Sequence, residues 1–143
     1  MALTQGEYIT LLALNKVFED TSMIVLGPPP QHWSRNLRAV GSSEQFKLDF
    51  HRGRLEMRYT YNLRRNQTVV LFRYDQGGIH TNPDGEKFDG PHVHIYREGY
   101  DDKFAYPVSQ IGVLLTDSIS EVLAKFVTYC NIINVPTIQS TLF

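Results

Sequence analysis

Two short stretches of the chain carry residue types that acid–base chemistry uses. The first is Arg73-Tyr-Asp75, and the second is His92-Val-His94-Ile-Tyr96, with His80 between them. Alternate residues of a β-strand point to the same face, so each stretch presents its polar side chains together. If the two strands are neighbours, we expect a guanidinium, a carboxylate, a phenol and two imidazoles to converge, with His80 on the connecting loop.

This set of side chains suits cleavage of a phosphodiester without a metal ion. One imidazole can accept the proton of a ribose 2′-hydroxyl while another donates a proton to the leaving oxygen, because both protonation states of histidine coexist near neutral pH. Arg73 would bind the phosphate, Asp75 would orient an imidazole, and Tyr96 would donate to the phosphate or stack on a base. The predicted catalytic residues are His80, His92, His94, Arg73, Asp75 and Tyr96, with no metal ion and no cofactor.

The same histidines allow two other interpretations. Imidazole nitrogens bind Zn, Ni, Cu or Fe, and His80, His92 and His94 together would be enough for a metal site with an open position. A His-x-His pair on a strand is also common as a purely structural feature, since histidine is often half-buried. A metal-binding domain and a structural pair therefore stay open beside the acid–base interpretation.

Charge is distributed unevenly along the chain. Residues 35–73 hold nine basic groups against three acidic ones, whereas residues 74–121 hold nine acidic groups against three basic ones. A basic block attracts the phosphate backbone of RNA or another nucleic acid, although it can equally pair with the acidic block inside the fold. We expect an arginine-rich sheet face that binds nucleic acid. Its predicted residues are Arg52, Arg54, Arg58, Arg64 and Arg65.

The order of the predicted elements defines a fold class. The length of 143 residues fits a single domain over residues 1–143. Capping boxes at Thr4-x-x-Glu7 and Ser118-x-x-Glu121 predict a helix near each end of the chain. Between them, alternation over residues 46–61 predicts a hairpin with a two-residue turn at Arg52-Gly53, and further strands follow. We therefore predict an α+β fold, in which an N-terminal and a C-terminal helix pack on one antiparallel sheet of four to five strands.

Composition and the chain's apolar runs exclude several classes of protein. Hydrophobic residues make up 42% and charged residues 20%, which is ordinary for a globular domain. The single cysteine, Cys130, excludes an internal disulfide and a cysteine-rich zinc site. No apolar run is long enough to span a bilayer, and the first residues lack the basic region of a secretory signal. We expect a cytoplasmic protein without a membrane partner, and the apolar tail over residues 131–143 is compatible with a homodimer.

Two families resemble parts of this sequence. Asn82-Pro-Asp-Gly85 followed by Pro91-His-Val-His-Ile-Tyr-Arg-Glu-Gly-Tyr-Asp-Asp-Lys103 resembles a group of small bacterial and prophage proteins with a domain of unknown function. More loosely, Arg73-x-Asp75, His80 and Pro91-His92-x-His94 resemble the motif of the TumE-type toxins of bacterial toxin–antitoxin modules. Those toxins are taken to be ribonucleases. The second resemblance implies a toxin-type endoribonuclease of a mobile element, with RNA as substrate and an antitoxin as protein partner.

A non-catalytic protein is the alternative from another functional class. The divided charge and the prophage-like motif are also typical of a phage-encoded protein that binds and inhibits a host defence nuclease. In that case the acidic loop over residues 98–102, or the arginine face, would contact the nuclease. The histidine pair would then be structural.

Overall fold

The computed structural model describes residues 2–54, 58–66 and 68–141. These residues form two α-helices, α1 (Gln5–Ala13) and α2 (Ile119–Tyr129), a 3-10 helix (Val108–Ile111) and eleven strands. The predicted α+β class is confirmed. The strands are β1 (Lys16–Phe18), β2 (Ile24–Leu26), β3 (Gln31–Ala39), β4 (Gln45–Arg52), β5 (Tyr59–Arg65), β6 (Val69–Asp75), β7 (Ile79–Thr81), β8 (Lys87–Asp89), β9 (His92–Ile95), β10 (Ala105–Tyr106) and β11 (Ile138–Ser140).

Both helices begin at the predicted capping boxes. The Thr4 hydroxyl accepts from the backbone N–H of Glu7, and the Glu7 carboxylate accepts from the N–H of Thr4. Ser118 and Glu121 make the same reciprocal pair at the start of α2. Each box satisfies N–H groups that a helix terminus leaves without an intrahelical partner. Among the described residues, no helix is long and apolar enough to cross a bilayer.

The main sheet has seven strands, in the order β1-β3-β4-β5-β6-β9-β10, and each neighbouring pair is antiparallel. The predicted number of four to five strands is therefore wrong. The short edge strands β1 and β10 are too brief to show alternation, and β3 carries Arg35 among its inward positions, which hides its period. Two smaller sheets pair β2 with β11 in parallel and β7 with β8 in antiparallel orientation.

The connection between β4 and β5 is longer than the sequence predicts. Arg52 pairs with Tyr59, so residues 53–58 connect the strands and the predicted two-residue turn at Arg52-Gly53 is wrong. Leu55 and Met57, which the alternation assigned to the second strand, lie outside the described residues. The predicted alternation resumes at Tyr59 and Tyr61, which are both buried.

One face of the main sheet is the hydrophobic core. Aromatic rings of adjacent strands contact each other across this inner face, and Phe126 of α2 packs on Tyr61 and Phe72 with ring centroids 5.8 and 5.1 Å apart. The Tyr61 hydroxyl donates to the Ile119 carbonyl, which ties the first turn of α2 to the sheet. Aromatic pairs at these separations add to the free energy that burial supplies. The inner-face rings include Phe50, Tyr59, Tyr61, Phe72 and Tyr74.

The opposite, outer face is polar across five strands. Because a strand alternates its side chains between faces, the register of β3, β4, β5, β6 and β9 aligns polar residues in rows. One row contains His32, His51, Thr60, Asp75 and His92, and the next contains Ser34, Asp49, Asn62, Arg73 and His94.

Candidate functional site

Strands β6 and β9 bring four of the predicted site residues together. Their antiparallel register pairs Arg73 with His94 and Asp75 with His92. All four side chains therefore lie on the outer face, as the alternation within each stretch predicts. The predicted adjacency of the two strands is correct, although β7 and β8 intervene in the sequence.

The Asp75 carboxylate is the centre of this cluster. Its Oδ2 lies 3.2 Å from Nε2 of His94, 3.4 Å from Nε2 of His92 and 3.1 Å from Nη2 of Arg73. Burial raises the pKa of Asp75, but the contacts with the two imidazoles and the charge of Arg73 outweigh it and hold the pKa far below its usual range. Asp75 is therefore a carboxylate, which accepts and does not donate.

His92 and His94 are buried, with exposed fractions of 2% and 1%. Nδ1 of His92 lies 2.8 Å from the Gly90 carbonyl, and Nδ1 of His94 lies 2.8 Å from the Asp102 carbonyl. Burial lowers the pKa of His92, but its hydrogen bonds with Asp75 and Gly90 more than compensate and raise it overall. Both nitrogens of each ring thus face groups of the protein, which removes these imidazoles from direct contact with a substrate.

His80 covers this pair from the small β7–β8 sheet. Its ring centroid lies 4.6 Å from that of His94 and 5.9 Å from that of His92, and its Nε2 lies 2.8 Å from the Lys103 carbonyl. The sequence placed His80 on a connecting loop, whereas the structure places it in a short strand at the same cluster. Three imidazoles therefore lie in contact.

Two residues that the sequence analysis missed hold this arrangement together. Asn82 is buried, and its side-chain amide donates to the carbonyl of Ala105 and accepts from its N–H, which fastens the β7–β8 sheet to β10. Asp102 accepts from Nη1 of Arg73 at 2.9 Å. In the sequence, Asn82 was notable only as the first residue of the Asn-Pro-Asp-Gly turn. Asp102 was notable only as one of the acidic residues of the loop over residues 98–102.

The predicted placement of Tyr96 is wrong. Its side chain is 1% exposed, its hydroxyl donates to the Leu3 carbonyl at 2.6 Å, and its ring stacks on Tyr8. Strand β9 ends at Ile95, and the β5–β6 pairing skips Leu71, whose carbonyl accepts from the N–H of Tyr96. The alternation that links His92 and His94 therefore does not extend to Tyr96, which belongs to the core.

A metal ion could be held by a different set from the three histidines of the sequence-based alternative. Asp75, His92 and His94 each offer one ligand atom, and these atoms lie within 4.8 Å of one another. Among the described residues, His80 is not part of this group.

The cluster lies within a region that defines a protein family. A family described as "Family of unknown function (DUF6978)" matches residues 3–132. The chain belongs to this family. The predicted resemblance to a family of unknown function is thus confirmed, while no comparison supports the resemblance to TumE-type toxins. No curated protein and no solved structure matches the chain.

The predicted arginine face is not one surface in this member of the family. Arg64 lies on the outer face, where Nε and Nη2 donate to Asp49 at 2.6 and 3.1 Å. Arg52 and Arg65 alternate to the inner side. Nη1 of Arg52 donates to the carbonyl of Gly27, whereas Arg65 pairs with Glu44 through two contacts. The prediction of one shared face is wrong because these arginines occupy both faces of the sheet, whereas their binding of nucleic acid stays a prediction.

The other two predicted arginines, Arg54 and Arg58, belong to the connection between β4 and β5. Arg58 lies against the backbone that follows Asp75, since a Cβ placed on Gly77 would lie only 2.5 Å from Cδ of Arg58. Gly77 therefore provides the space through which Arg58 reaches the edge of the cluster. Of the five arginines, Arg58 and Arg64 are the two beside the outer face.

Proposed function

We propose that this chain is an endoribonuclease whose reaction centre is the outer-face cluster of Arg73, Asp75, His80, His92 and His94. The observation that carries the proposal is the contact of two imidazoles and one guanidinium with a single ionised carboxylate on a polar sheet face, with the ring of His80 packed against the two imidazoles. Groups of this kind perform proton transfer and stabilise charge on a phosphate. Their convergence supports phosphodiester cleavage as the reaction class.

A shallow groove along the outer face supports a polymeric substrate. Strands are about 4.8 Å apart, so the five strands that carry polar rows extend over roughly 20 Å, which is enough for several nucleotides. The groove contains hydrogen-bonding groups that suit a sugar–phosphate chain. Its lining residues are His32, Ser34, Asp49, His51, Thr60, Asn62, Arg64 and Arg73.

His80 is the imidazole best suited to exchange a proton with this substrate. A carbonyl oxygen can only accept, so the contact with Lys103 places the proton of a neutral His80 ring on Nε2. Nδ1 then keeps a lone pair, and none of the described residues makes a hydrogen bond with it. His92 and His94, by contrast, are directed towards Asp75. We therefore assign the base to His80 and a supporting role to the other two histidines.

Arg73 is suited to bind the phosphate. A guanidinium has five N–H donors, and the contacts with Asp75 and Asp102 engage three of its nitrogens through one donor each. Two donors therefore stay available for a phosphate oxygen. The two carboxylates also fix the plane of the guanidinium before a substrate arrives.

The proposed reaction is a transesterification within the RNA. Nδ1 of His80 accepts the proton of a 2′-hydroxyl while the 2′-oxygen forms a bond to the adjacent phosphorus. The bond from phosphorus to the 5′-oxygen breaks, and that oxygen takes a proton from water. Arg73 stabilises the negative charge that builds on the phosphate oxygens. The products are a 2′,3′-cyclic phosphate and a 5′-hydroxyl end.

Cleavage of a mixed RNA pool by the purified chain tests this proposal. We expect His80→Ala to lower the rate at least about 100-fold, which is the lower range for loss of a general base. Thr81→Ala, an exposed residue next to His80 on the opposite face of β7, is the matched control and should keep the wild-type rate. Reactions with EDTA and with added divalent ions establish whether cleavage needs a metal ion. DNA of the same sequence should not be cleaved, because it lacks the 2′-hydroxyl.

Equal cleavage rates for His80→Ala and wild type would show that His80 is not the general base. Absence of cleavage by a folded wild-type chain, with every RNA and ion tried, would contradict the ribonuclease itself. The alternative of a phage-encoded inhibitor would then become the stronger interpretation. It is less favoured because the acidic loop is engaged within the fold, where Asp102 binds Arg73 and Glu98 accepts from the N–H of Gln5.

The proposal extends to a toxin of a mobile element. An endoribonuclease of this kind would arrest its own host unless an antitoxin binds it, so RNA and an inhibitory protein are the expected partners. Induced expression should stop growth, and His80→Ala should restore it. A neighbouring gene for a small antitoxin would support this setting.

A further inference from the structure

Three potential metal-ligand atoms lie together in the buried part of the cluster: Nε2 of His92, Nε2 of His94 and Oδ2 of Asp75. The carbonyls of Gly90 and Asp102 can only accept, so each Nδ1 of His92 and His94 carries a proton. In a neutral ring the other nitrogen, Nε2, then carries a lone pair. A charged His92 instead donates from Nε2 to Asp75, and a bound metal ion would displace that proton. Both Nε2 atoms lie near Oδ2 of Asp75, which is also an acceptor.

Nε2 of His94 has no hydrogen-bond partner within the part of the chain that the structure describes. It is fully buried, and although it lies 3.2 Å from Oδ2 of Asp75, the orientation does not make a hydrogen bond. Buried polar atoms are nearly always paired, so an unpaired nitrogen directed at a carboxylate needs a physical reason. A cation shared by these atoms satisfies all three of them at once.

The distances between the donor atoms fit a metal ion. Zinc binds imidazole nitrogen and carboxylate oxygen at about 2.1 Å, which places two ligands of a tetrahedral ion roughly 3.4 Å apart. The two nitrogen–oxygen distances, 3.2 and 3.4 Å, fit this separation, and the two imidazole nitrogens, which lie within 4.8 Å of each other, would close to the same separation around an ion. We propose that Asp75, His92 and His94 bind one divalent transition-metal ion.

The surroundings of the three residues resemble the supporting shell of known metal centres. Metal-binding histidines usually donate their second ring N–H to a backbone carbonyl, and both histidines do so here. The carboxylate is itself held by Arg73, whose guanidinium is balanced by Asp102. With neutral imidazoles, the charges of Arg73, Asp75 and Asp102 sum to −1, which favours a cation.

The donor set identifies the class of ion. Two imidazoles and one carboxylate favour zinc, iron, cobalt, nickel or manganese over calcium and magnesium, which prefer oxygen ligands. Three protein ligands leave at least one coordination position for water or for a substrate oxygen. The site goes beyond the proposed ribonuclease and does not depend on RNA being the substrate.

Titration with Co²⁺ tests the inference on the full chain without a purification tag, after EDTA treatment and dialysis. We expect one Co²⁺ per chain by calorimetry, together with visible absorption that Zn²⁺ abolishes by displacement. Asp75→Asn and His94→Gln should each weaken binding at least about 100-fold. The double variant His32→Ala/His51→Ala is the matched control, because it removes two exposed imidazoles of the same face whose rings lie 5.8 Å apart. Its binding should equal that of wild type.

Failure of the wild-type chain to bind Co²⁺ or Zn²⁺ at one ion per chain would overturn the inference, and so would wild-type affinity in Asp75→Asn. If neither site variant folds, the melting temperature of the wild type decides, since an ion that binds only the folded state must raise it. No rise with either ion would also overturn the site. Because RNA is absent from these measurements, a chain that binds Co²⁺ but cleaves nothing retains the metal site and loses only the ribonuclease.

Discussion

Two buried polar centres lie on the same sheet and differ in how completely their polar atoms are paired. Lys16, on edge strand β1, is fully buried, and its ammonium donates to the carbonyls of Leu12, Leu14 and Cys130, each at 2.9 Å. An ammonium has three N–H donors, so every one of them has a partner. The Lys16 centre is closed and has no capacity for a ligand.

The Asp75 cluster, four strands away, is open by the same criterion. His92 and His94 are nearly as deeply buried as Lys16, yet Nε2 of His94 has no hydrogen-bond partner among the described residues. Burial of a polar group therefore does not by itself indicate a functional site. What distinguishes the Asp75 cluster from the Lys16 centre is an unpaired nitrogen that faces further ligand atoms, since an unpaired buried atom alone also occurs at the Tyr8 hydroxyl.

The largest expected effect is on the rate of RNA cleavage, which should depend on the Asp75 cluster and not on the Lys16 centre. We expect Asp75→Asn to lower RNA cleavage at least about 100-fold, because Asp75 holds both imidazoles and the guanidinium. Lys16→Met should stay within about twofold of the wild-type rate for each folded molecule, since Lys16 contacts nothing in the cluster. Cleavage rates normalised to the folded fraction measure this. A comparable loss of activity in both variants would show that the comparison is wrong.

Stability should respond in the opposite order. Lys16→Met removes the partner of three carbonyls and a cation 4.9 Å from the centroid of the Phe46 ring. We expect the free energy of unfolding to fall by about 3 kcal/mol, given the cost of unpaired buried acceptors. Asp75→Asn keeps an oxygen acceptor for Arg73 and should cost about 1 kcal/mol in the metal-free chain. Urea denaturation of both variants measures the two losses of unfolding free energy. A larger loss for Asp75→Asn than for Lys16→Met would contradict the prediction.

The dependence of stability on pH sharpens the comparison further. Burial lowers the pKa of Lys16 to about 8, from 10.5. Between these values the unfolded chain binds a proton that the folded chain lacks, so the free energy of unfolding rises with pH. Lys16→Met lacks this contribution. The difference between wild type and Lys16→Met should therefore grow from pH 8 towards pH 10, before tyrosines ionise. A constant difference would mean that the three carbonyls keep the ammonium charged throughout.

The smallest effect is expected on the exposed part of the outer face. His51 shares the row of Asp75 but is exposed, and its ring contacts that of His32. We expect His51→Ala to change the free energy of unfolding by less than about 0.5 kcal/mol, as exposed substitutions usually do. Thermal unfolding is sufficient to measure it. A larger loss of unfolding free energy would show that the exposed residues of the outer face also stabilise the fold.

Local patterns predicted the elements better than their ends. Both capping boxes mark the starts of α1 and α2, because a cap depends only on residues three positions apart. The two-residue turn at Arg52-Gly53 failed, since loop length depends on which strand residues pair. The number of strands failed for a similar reason, because β1 and β10 are stabilised by their neighbours in the sheet rather than by their own residues.

The site was predictable where alternation persists and not where it stops. Arg73, Asp75, His92 and His94 share a face because their strands are regular and paired. Tyr96 left that face because β9 ends one residue earlier. Asn82 and Asp102 could not be predicted as supporting residues, since each reaches its partner over more than 20 positions of the chain.

The sequence alone determined the α+β class, the two capped helices and the polar composition of two neighbouring strands. These features depend on interactions between residues that are close along the chain. Tertiary structure alone decided that Asp75 faces two imidazoles and that the Asp102 carbonyl reaches Nδ1 of His94, whereas the Gly90 carbonyl lies only two positions before His92. The tautomer of a histidine and the pairing of a buried nitrogen depend on backbone carbonyls brought close by the sheet and its loops. No periodicity in a sequence encodes which atoms those will be.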